Sequence, residues 1–419
     1  MCEEMEKSPW SELGEALRVI EAFWGRLEYE KYHEVRSSGL SKILMRFALR
    51  LSGFWFIRVL VVFSIIAFSK SMERLPEGHG IIVYAPTQNN KRAANAIVQN
   101  APVNFVVTYA ATFGYRCKSA FLSVWLILRL AYFQCDIEAD TPFVRLQKLR
   151  TIAAFAYFWS EMQLHTPHCV LIANDHSPGP VAFASAARSA QIATIYVQHA
   201  PINKHYPRLR FDLSILWNGS SKTTYSKAGE LGDMVVYGPL FGEVPLPKQP
   251  KEFKRWGLLL SRVRHRQNID KRLREICARI DAEEIIVRPH PADFSTTQSI
   301  CIDPRIRIVS GGELTEFATQ IDVAIVPGSG VALELINSGV MTAYIDDTDL
   351  LEHDPHGLVA AGVLKDVTAL SLAALSHADF GSYDPDWRES AQQNFDQTPR
   401  ERARKELDLA LLRLLKSGD

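Results

Sequence analysis

The six cysteines of this chain form no CxxC pair and fall in no spacing that suits a metal ion, which excludes a zinc module and a disulfide framework and fits a reducing compartment. Net charge is missing as well. Lysine and arginine balance aspartate and glutamate to a formal charge of +0, so the basic footprint of a nucleic-acid-binding protein is absent. Glu3, Glu4 and Glu6 stand where a signal peptide would carry a basic start and an apolar core. Internal repeats and low-complexity tracts are lacking too. These absences predict a cytoplasmic globular protein with no nucleic-acid partner.

Uninterrupted apolar runs of membrane-spanning length are also missing. Leu51 to Ser69 is largely apolar, but Arg58 breaks it and Arg46, Arg50 and Lys70 flank it; Ala120 to Phe133 contains Trp125 and is broken by Arg129. A spanning helix needs roughly 20 apolar residues, and a central arginine costs about 2.5–3.5 kcal/mol on insertion. Two readings remain open. The stretches either make a peripheral contact with the inner face of the cytoplasmic membrane, their arginines reaching headgroups, or form core helices of a large N-terminal domain.

What the sequence does contain is alternation. Its 419 residues exceed the size of a single core and predict two domains of about 200 residues each. A helix over Ser11 to Glu34, with Ser11 as N-cap, is followed by strand candidates at Gly80 to Tyr84, Val103 to Thr108, Cys169 to Ala173 and Thr194 to Val197. Helices are predicted over Ala93 to Val98, Leu149 to Met162 and Pro180 to Ala190. Phe241 to Pro250 is rich in proline and poor in periodicity, which marks a linker. Beyond it, strands are predicted at Trp256 to Ser261, Ile285 to Val287, Ile306 to Val309, Val323 to Val326 and Thr342 to Ile345. Short apolar runs alternating with helices predict parallel sheets covered on both faces. The expected architecture is α/β, with two Rossmann-like, doubly wound domains facing a cleft. An acceptor-side domain would occupy residues 1–248, a donor-binding domain 249–385, and C-terminal helices 386–419 would pack back, the last over Arg400 to Lys416 with a leucine-rich face.

Two turns of the second domain carry the chemistry. Arg288-Pro289-His290-Pro291 ends the Ile285 to Val287 run, and Pro327-Gly328-Ser329-Gly330 ends Val323 to Val326. In a parallel sheet both turns leave the same rim, where phosphorylated ligands bind. Gly328 and Gly330 would let backbone amides approach an anion, Ser329 would add a hydroxyl donor, and the helix from Val331 to Asn337 would point its positive end at the charge. Glu334, one turn in, would accept from ribose hydroxyls. The plainer alternative is an ordinary strand-to-helix turn with Ser329 as N-cap. The basic run Arg262, Arg264, His265 and Arg266 offers further phosphate or carboxylate contacts, and Lys91-Arg92 a contact for an anionic acceptor. The pairs His165 with His168 and His353 with His356 have i,i+3 spacing, but Pro167 and Pro355 interrupt any helix there, and both read as structural.

With these turns in place, the C-terminal half resembles the nucleotide-binding domain of GT-B glycosyltransferases, in particular bacterial enzymes that build capsules and surface polysaccharides. GT-B sialyltransferases and Kdo transferases carry a His-Pro turn that contacts the CMP part of the donor and a serine-bearing turn that holds its phosphate; the resemblance puts these roles on His290-Pro291 and Ser329. Tyr196-Val197-Gln198-His199-Ala200 is similar to the Gln-His or Trp-His turns of capsule transferases and CDP-glycerol glycerophosphotransferases, which implies a basic role for His199. The acidic-acidic-Gly motif of the sialyltransferase-like families is absent, so the base is open between His199 and Asp175. Asp175 lies in Asn174-Asp175-His176-Ser177, where it can equally cap the following helix.

The resemblance implies a glycosyltransferase that moves a CMP-linked acidic sugar from a nucleotide-sugar donor to a surface polysaccharide or lipid-linked glycan. Such a reaction calls for no metal ion or other cofactor. His199 or Asp175 would take the acceptor's proton, while His290, Ser329 and the helix start would stabilise the leaving phosphate. A CDP-alditol phosphotransferase and a non-catalytic surface-glycan assembly protein remain alternatives, and no signature fixes the nucleotide base.

Overall fold

The computed structural model describes residues 9–25, 81–99, 107–109, 142–164, 167–203, 205–217, 219–229, 232–237, 252–261, 265–290, 303–349, 352–360, 362–376 and 400–416. The apolar stretches Leu51 to Ser69 and Ala120 to Phe133 lie outside them, as do His165, Arg262, Arg264 and Pro291. Among the described residues no helix is long and apolar enough to cross a membrane. The chain divides into two compact units, residues 1–240 with 398–419 and residues 241–397.

Unit 1 is built on a six-stranded sheet in which every pairing is parallel. Its strands are β1 (Ile81–Tyr84), β2 (Val107–Tyr109), β3 (Cys169–Ile172), β4 (Ala193–Val197), β5 (Leu213–Leu216) and β6 (Asp233–Val236), in the order β2-β1-β3-β4-β5-β6. Alternation along each strand feeds two cores. Ile82, Tyr84, Val170, Ile172 and Tyr196 face α1 (Pro9–Trp24), α3 (Pro142–Met162) and α4 (Pro178–Ser189), while Ile81, Val83, Leu171, Ile195 and Val197 face α2 (Gln88–Val98) and the C-terminal helix. Helices on both faces explain why the central strands β1 and β3 are apolar throughout rather than every second residue. Thr87 caps α2 by accepting from the Asn90 amide, and α5 (Gly219–Ala228) joins β5 to β6. Helix α1 already includes Ser11, so its predicted N-cap is displaced: Pro9, free of an amide donor, stands at the first helical position.

Unit 2 repeats the scheme with β7 (Arg255–Leu259), β8 (Glu284–Arg288), β9 (Ile306–Ile308), β10 (Val323–Val326), β11 (Met341–Tyr344) and β12 (Lys365–Asp366). All pairings are again parallel, in the order β12-β11-β10-β7-β8-β9. Helices α6 (Arg266–Cys277), α7 (Leu314–Ala318) and α8 (Val331–Asn337) follow β7, β9 and β10. Counted from β7, this is the 3-2-1-4-5-6 winding of dinucleotide-binding domains; unit 1, counted from β1, is the 2-1-3-4-5 winding of flavodoxin-like sheets with one strand added. The final helix α9 (Arg400–Lys416) packs on unit 1 through Leu407, Ala410 and Leu411.

An internal ion cluster docks α1. Buried Glu12 accepts from Arg188 Nε at 2.9 Å and Arg210 Nη2 at 3.1 Å. Removing one partner of a buried pair strands the other charge in a poorly solvating interior, at about 3–5 kcal/mol. Glu12→Ala is therefore expected to destabilise unit 1 by about 3 kcal/mol, read by urea unfolding; a change below about 0.5 kcal/mol, the scale of a solvated surface site, would show the cluster to be hydrated.

Candidate functional site

The strand order of unit 1 reverses between β1 and β3, and the chain leaving β3 is Ala173-Asn174-Asp175-His176. Asn90 Nδ2 donates to the Ala173 carbonyl at 2.7 Å and ties the loop after β1 to this turn. Asn174, not Asp175, serves the backbone here, its Oδ1 accepting from the His176 and Ser177 amides. Asp175 is thereby released from capping. Its side chain is 1% exposed, with Oδ1 2.9 Å from His176 Nδ1 and Oδ2 accepting from Tyr225 Oη at 2.7 Å. Tyr196 Oη stands 3.1 Å from Tyr225 Oη. Burial, reinforced by the Asp175 charge, pushes both phenols well above their ordinary pKa, so they remain protonated donors. Hydrogen bonding thus runs from Tyr196 to Tyr225 to Asp175.

His176 was passed over in the sequence, yet it is the most tightly oriented imidazole of the cluster. Its carbonyl accepts from Trp24 Nε1 at 2.8 Å, and its ring stacks on Phe23 with centroids 4.1 Å apart. Tyr206 meets it edge-on at 5.1 Å. These partners come from α1 and from the segment after β4, so no local motif announces them. Asn174-Asp175-His176-Ser177 was the only available signal, and it also reads as capping chemistry.

His199 follows β4, the neighbour of β3, and its ring lies nearly parallel to that of His176 at 6.2 Å. Gln198 holds the turn: its Oε1 accepts from the Trp217 amide, its Nε2 donates to Ala200 O, and its carbonyl accepts from Trp217 Nε1. His199 Nδ1 is buried without a hydrogen-bond partner among the described residues. Burial, with a smaller contribution from neighbouring His176, lowers its pKa to about 4. A desolvated ring of this kind is neutral at pH 7 but a weak proton acceptor.

In unit 2 the turns after β8 and β10 leave the same edge, one on each side of β7, roughly 10 Å apart at two strand spacings. Their details differ from the sequence picture. Arg288 is 8% exposed, donates to Gly312 O at 2.8 Å and lies over the Phe317 ring. Glu334 and Glu316 act on it electrostatically. Its Nη2 is thus engaged in tying the turn after β8 to Gly312. His290 is half-buried at the strand end. Gly330 caps α8 in an ordinary right-handed conformation, displacing Ser329 from that role. Ser329 Oγ is 3.4 Å from the Val331 amide, and the Ala332 and Leu333 amides already donate to Ser329 and Gly330 carbonyls at 3.2 Å. A Cβ on Gly328 would stand 2.7 Å from Pro355 and 3.9 Å from Asp349 Oδ2. Packing against Pro355 requires glycine there.

Two buried atoms unpartnered among the described residues lie on the turns after β7 and β11. His265 precedes α6, its amide donates to Thr348 O at 2.9 Å, and both His265 Nδ1 and Thr348 Oγ1 are buried without a hydrogen-bond partner among the described residues. Such orphaned atoms cost about 1–3 kcal/mol each unless a ligand or water satisfies them. Elsewhere, His353 Nδ1 is 3.4 Å from Asp346 Oδ2, and no group of three or more His, Cys, Asp or Glu is arranged to hold a metal ion among the described residues. Burial raises the Cys169 thiol to about 12, which leaves it inert.

No family model and no curated protein matches this chain. Among solved structures, the glycosyltransferase SnogD from Streptomyces nogalater is 16% identical over 80% of this chain and 100% of its own, with a TM-score of 0.43. UDP-N-acetylglucosamine 2-epimerase from Rickettsia bellii is 12% identical over 81% and 97%, with a TM-score of 0.49. MurG from Acinetobacter baumannii is 12% identical over 80% and 100%, with a TM-score of 0.41.

The lowered pKa of His199 has a sign that can be tested. Between about pH 6.5 and pH 4 the unfolded chain binds a proton that the folded chain refuses, so this residue makes stability rise with pH across that window, by about 3 kcal/mol. His199→Gln should flatten that part of the stability profile in urea titrations from pH 4 to 7. An unaltered slope would mean that His199 is solvated.

Proposed function

We propose that this protein is a GT-B-type glycosyltransferase that moves an acidic sugar such as Kdo or sialic acid from a CMP donor to a surface polysaccharide or lipid-linked glycan. The observation that carries this reading is the reversal point of unit 2. A 3-2-1-4-5-6 parallel sheet binds nucleotides beside its first strand, and the turns after β7 and β11, joined by the His265 amide donating to Thr348 O, carry His265 Nδ1 and Thr348 Oγ1 without hydrogen-bond partners among the described residues. Donor phosphates or ribose hydroxyls are the natural partners of such atoms. His290 and Ser329, on the turns flanking β7, are assigned to the CMP moiety and its phosphate, with Gly328, Gly330, Pro291 and Glu334 shaping those turns and Arg288 holding the first of them in place.

The chemistry needs a leaving phosphate stabilised and an acceptor hydroxyl relieved of its proton. Unit 2 is assigned the first task. Unit 1, with Asp175 and His199 on one sheet edge, is assigned the second. The apolar stretches Leu51 to Ser69 and Ala120 to Phe133 suit an acceptor delivered at a membrane surface.

Incubation with CMP-sugars, CDP-alditols and UDP-sugars tests this directly. Release of CMP from a CMP-sugar, dependent on a glycan acceptor, is the expected result, with His290→Ala weakening CMP binding about tenfold by calorimetry, the loss of one hydrogen bond to a charged group. Failure of all three nucleotides to bind rejects the transferase reading, and turnover of CDP-alditols alone makes the protein a phosphotransferase.

A further inference from the structure

We infer that His176 is the catalytic base of unit 1, with Asp175 as its positioning carboxylate; this rests on the transferase reading above. The geometry separates the two imidazoles. His199 has one ring nitrogen buried without a partner and no carboxylate bonded to it, so no hydrogen bond among the described residues holds a proton once taken, and Asp175 acts on it only through space. His176 has Asp175 Oδ1 at 2.9 Å from Nδ1, which selects the tautomer with hydrogen on Nδ1 and leaves the Nε2 lone pair free. Nε2 makes no hydrogen bond among the described residues, and the side chain keeps 13% of its surface exposed. The buried, acceptor-only carboxylate thus secures one nitrogen while the other stays available.

The ring is fixed in every other respect as well. Phe23 stacks against it, Tyr206 meets it edge-on, and Trp24 and Asn174 hold its main chain. Asp175 is fixed in turn by Tyr225, which Tyr196 supports. This is the arrangement in which an oriented imidazole takes a proton and a buried carboxylate stabilises the resulting cation. The acceptor O–H bond breaks toward His176 Nε2 as the acceptor oxygen bonds to the anomeric carbon. The bond from that carbon to the donor phosphate breaks, its electron pair leaving on the phosphate, and the imidazolium then gives its proton to solvent. A second imidazole 6.2 Å away that stays neutral avoids repelling the cation. Burial keeps His199 in that state.

Two measurements on the full-length protein test this. Nitrogen-15 NMR of labelled histidine, assigned with His176→Gln, should show His176 near neutral pH with its hydrogen on Nδ1, and diethyl pyrocarbonate should modify Nε2. A hydrogen on Nε2, or an unreactive Nε2, overturns the inference without reference to any donor. In the second, a CMP-sugar and a glycan acceptor are turned over: His176→Gln should lower kcat by about 10²–10⁴-fold, the range of a general base, with donor KM within about twofold. Tyr225→Phe, which retains the packing, should lower kcat while shifting the His176 tautomer population, a spectroscopic change that a purely structural role would not produce. Wild-type kcat in His176→Gln overturns the inference and leaves the transferase reading intact. Absence of nucleotide release from wild type, with the Nδ1–H tautomer present, counts against the donor reading instead.

Discussion

Parallel pairing is the constraint on which the rest of this molecule depends. Every strand contact in both sheets is parallel, so all strand-to-helix turns within a sheet leave by one edge. Residues far apart in sequence therefore meet without any local motif. In unit 1 the edge gathers the polar loop after β1, Asp175 and His176 after β3, and Gln198 and His199 after β4. In unit 2 it gathers His265, His290, Ser329 and Thr348. The same constraint buries both faces of the central strands under helices, which leaves loops as the place where polar chemistry can reach a ligand.

Within unit 1, the turn after β3 is organised around the buried Asp175 carboxylate. A carboxylate removed from water is tolerable only with donors in place, and Asp175 has Tyr225 on one oxygen and His176 on the other. Each donor belongs to a different element. Tyr225 lies on α5, whose polar sequence gives it little helical drive of its own; Phe23 and Trp24, which orient His176, end α1. That helix is held in turn by the buried pairing of Glu12 with Arg188 and Arg210. Salt-bridge, aromatic and hydrogen-bond contacts thus converge on a single imidazole from three directions, an arrangement whose rigidity suits proton transfer more than simple ligand contact.

Strands with uninterrupted apolar runs were legible from sequence because burial on both faces leaves that signature. Cys169 to Ile172 and Val323 to Val326 are examples. The strand Leu213–Leu216 carries Ser214, Asp233–Val236 begins with an exposed aspartate, and Gly219–Ala228 is a helix of Gly, Ser, Thr and Lys; none has the periodicity that pattern reading needs. The site was legible as turns but not as contacts. Asn174 through Ser177 could be seen as a polar turn, whereas the choice of Asn174 over Asp175 for the backbone amides depends on Tyr225, 50 residues further on. Burial, invisible in sequence, sets the basicity of His199.

The Pro327 to Gly330 turn shows how packing redirects a motif. Glycine at 328 looks like room for a phosphate, but the space that a Cβ would take there lies against Pro355. The short helix that follows spends its first amides on its own turn. Under the proposed function, the leaving phosphate is assigned to the side of β7 and α6, where His265 caps a 12-residue helix and its Nδ1 and the neighbouring Thr348 Oγ1 lack partners among the described residues. A longer helix also presents a fuller terminal dipole than a seven-residue one. Under this reading Ser329 meets the donor at the periphery, and the reversal point beside β7 bears most of the charge that develops as the bond to the sugar breaks.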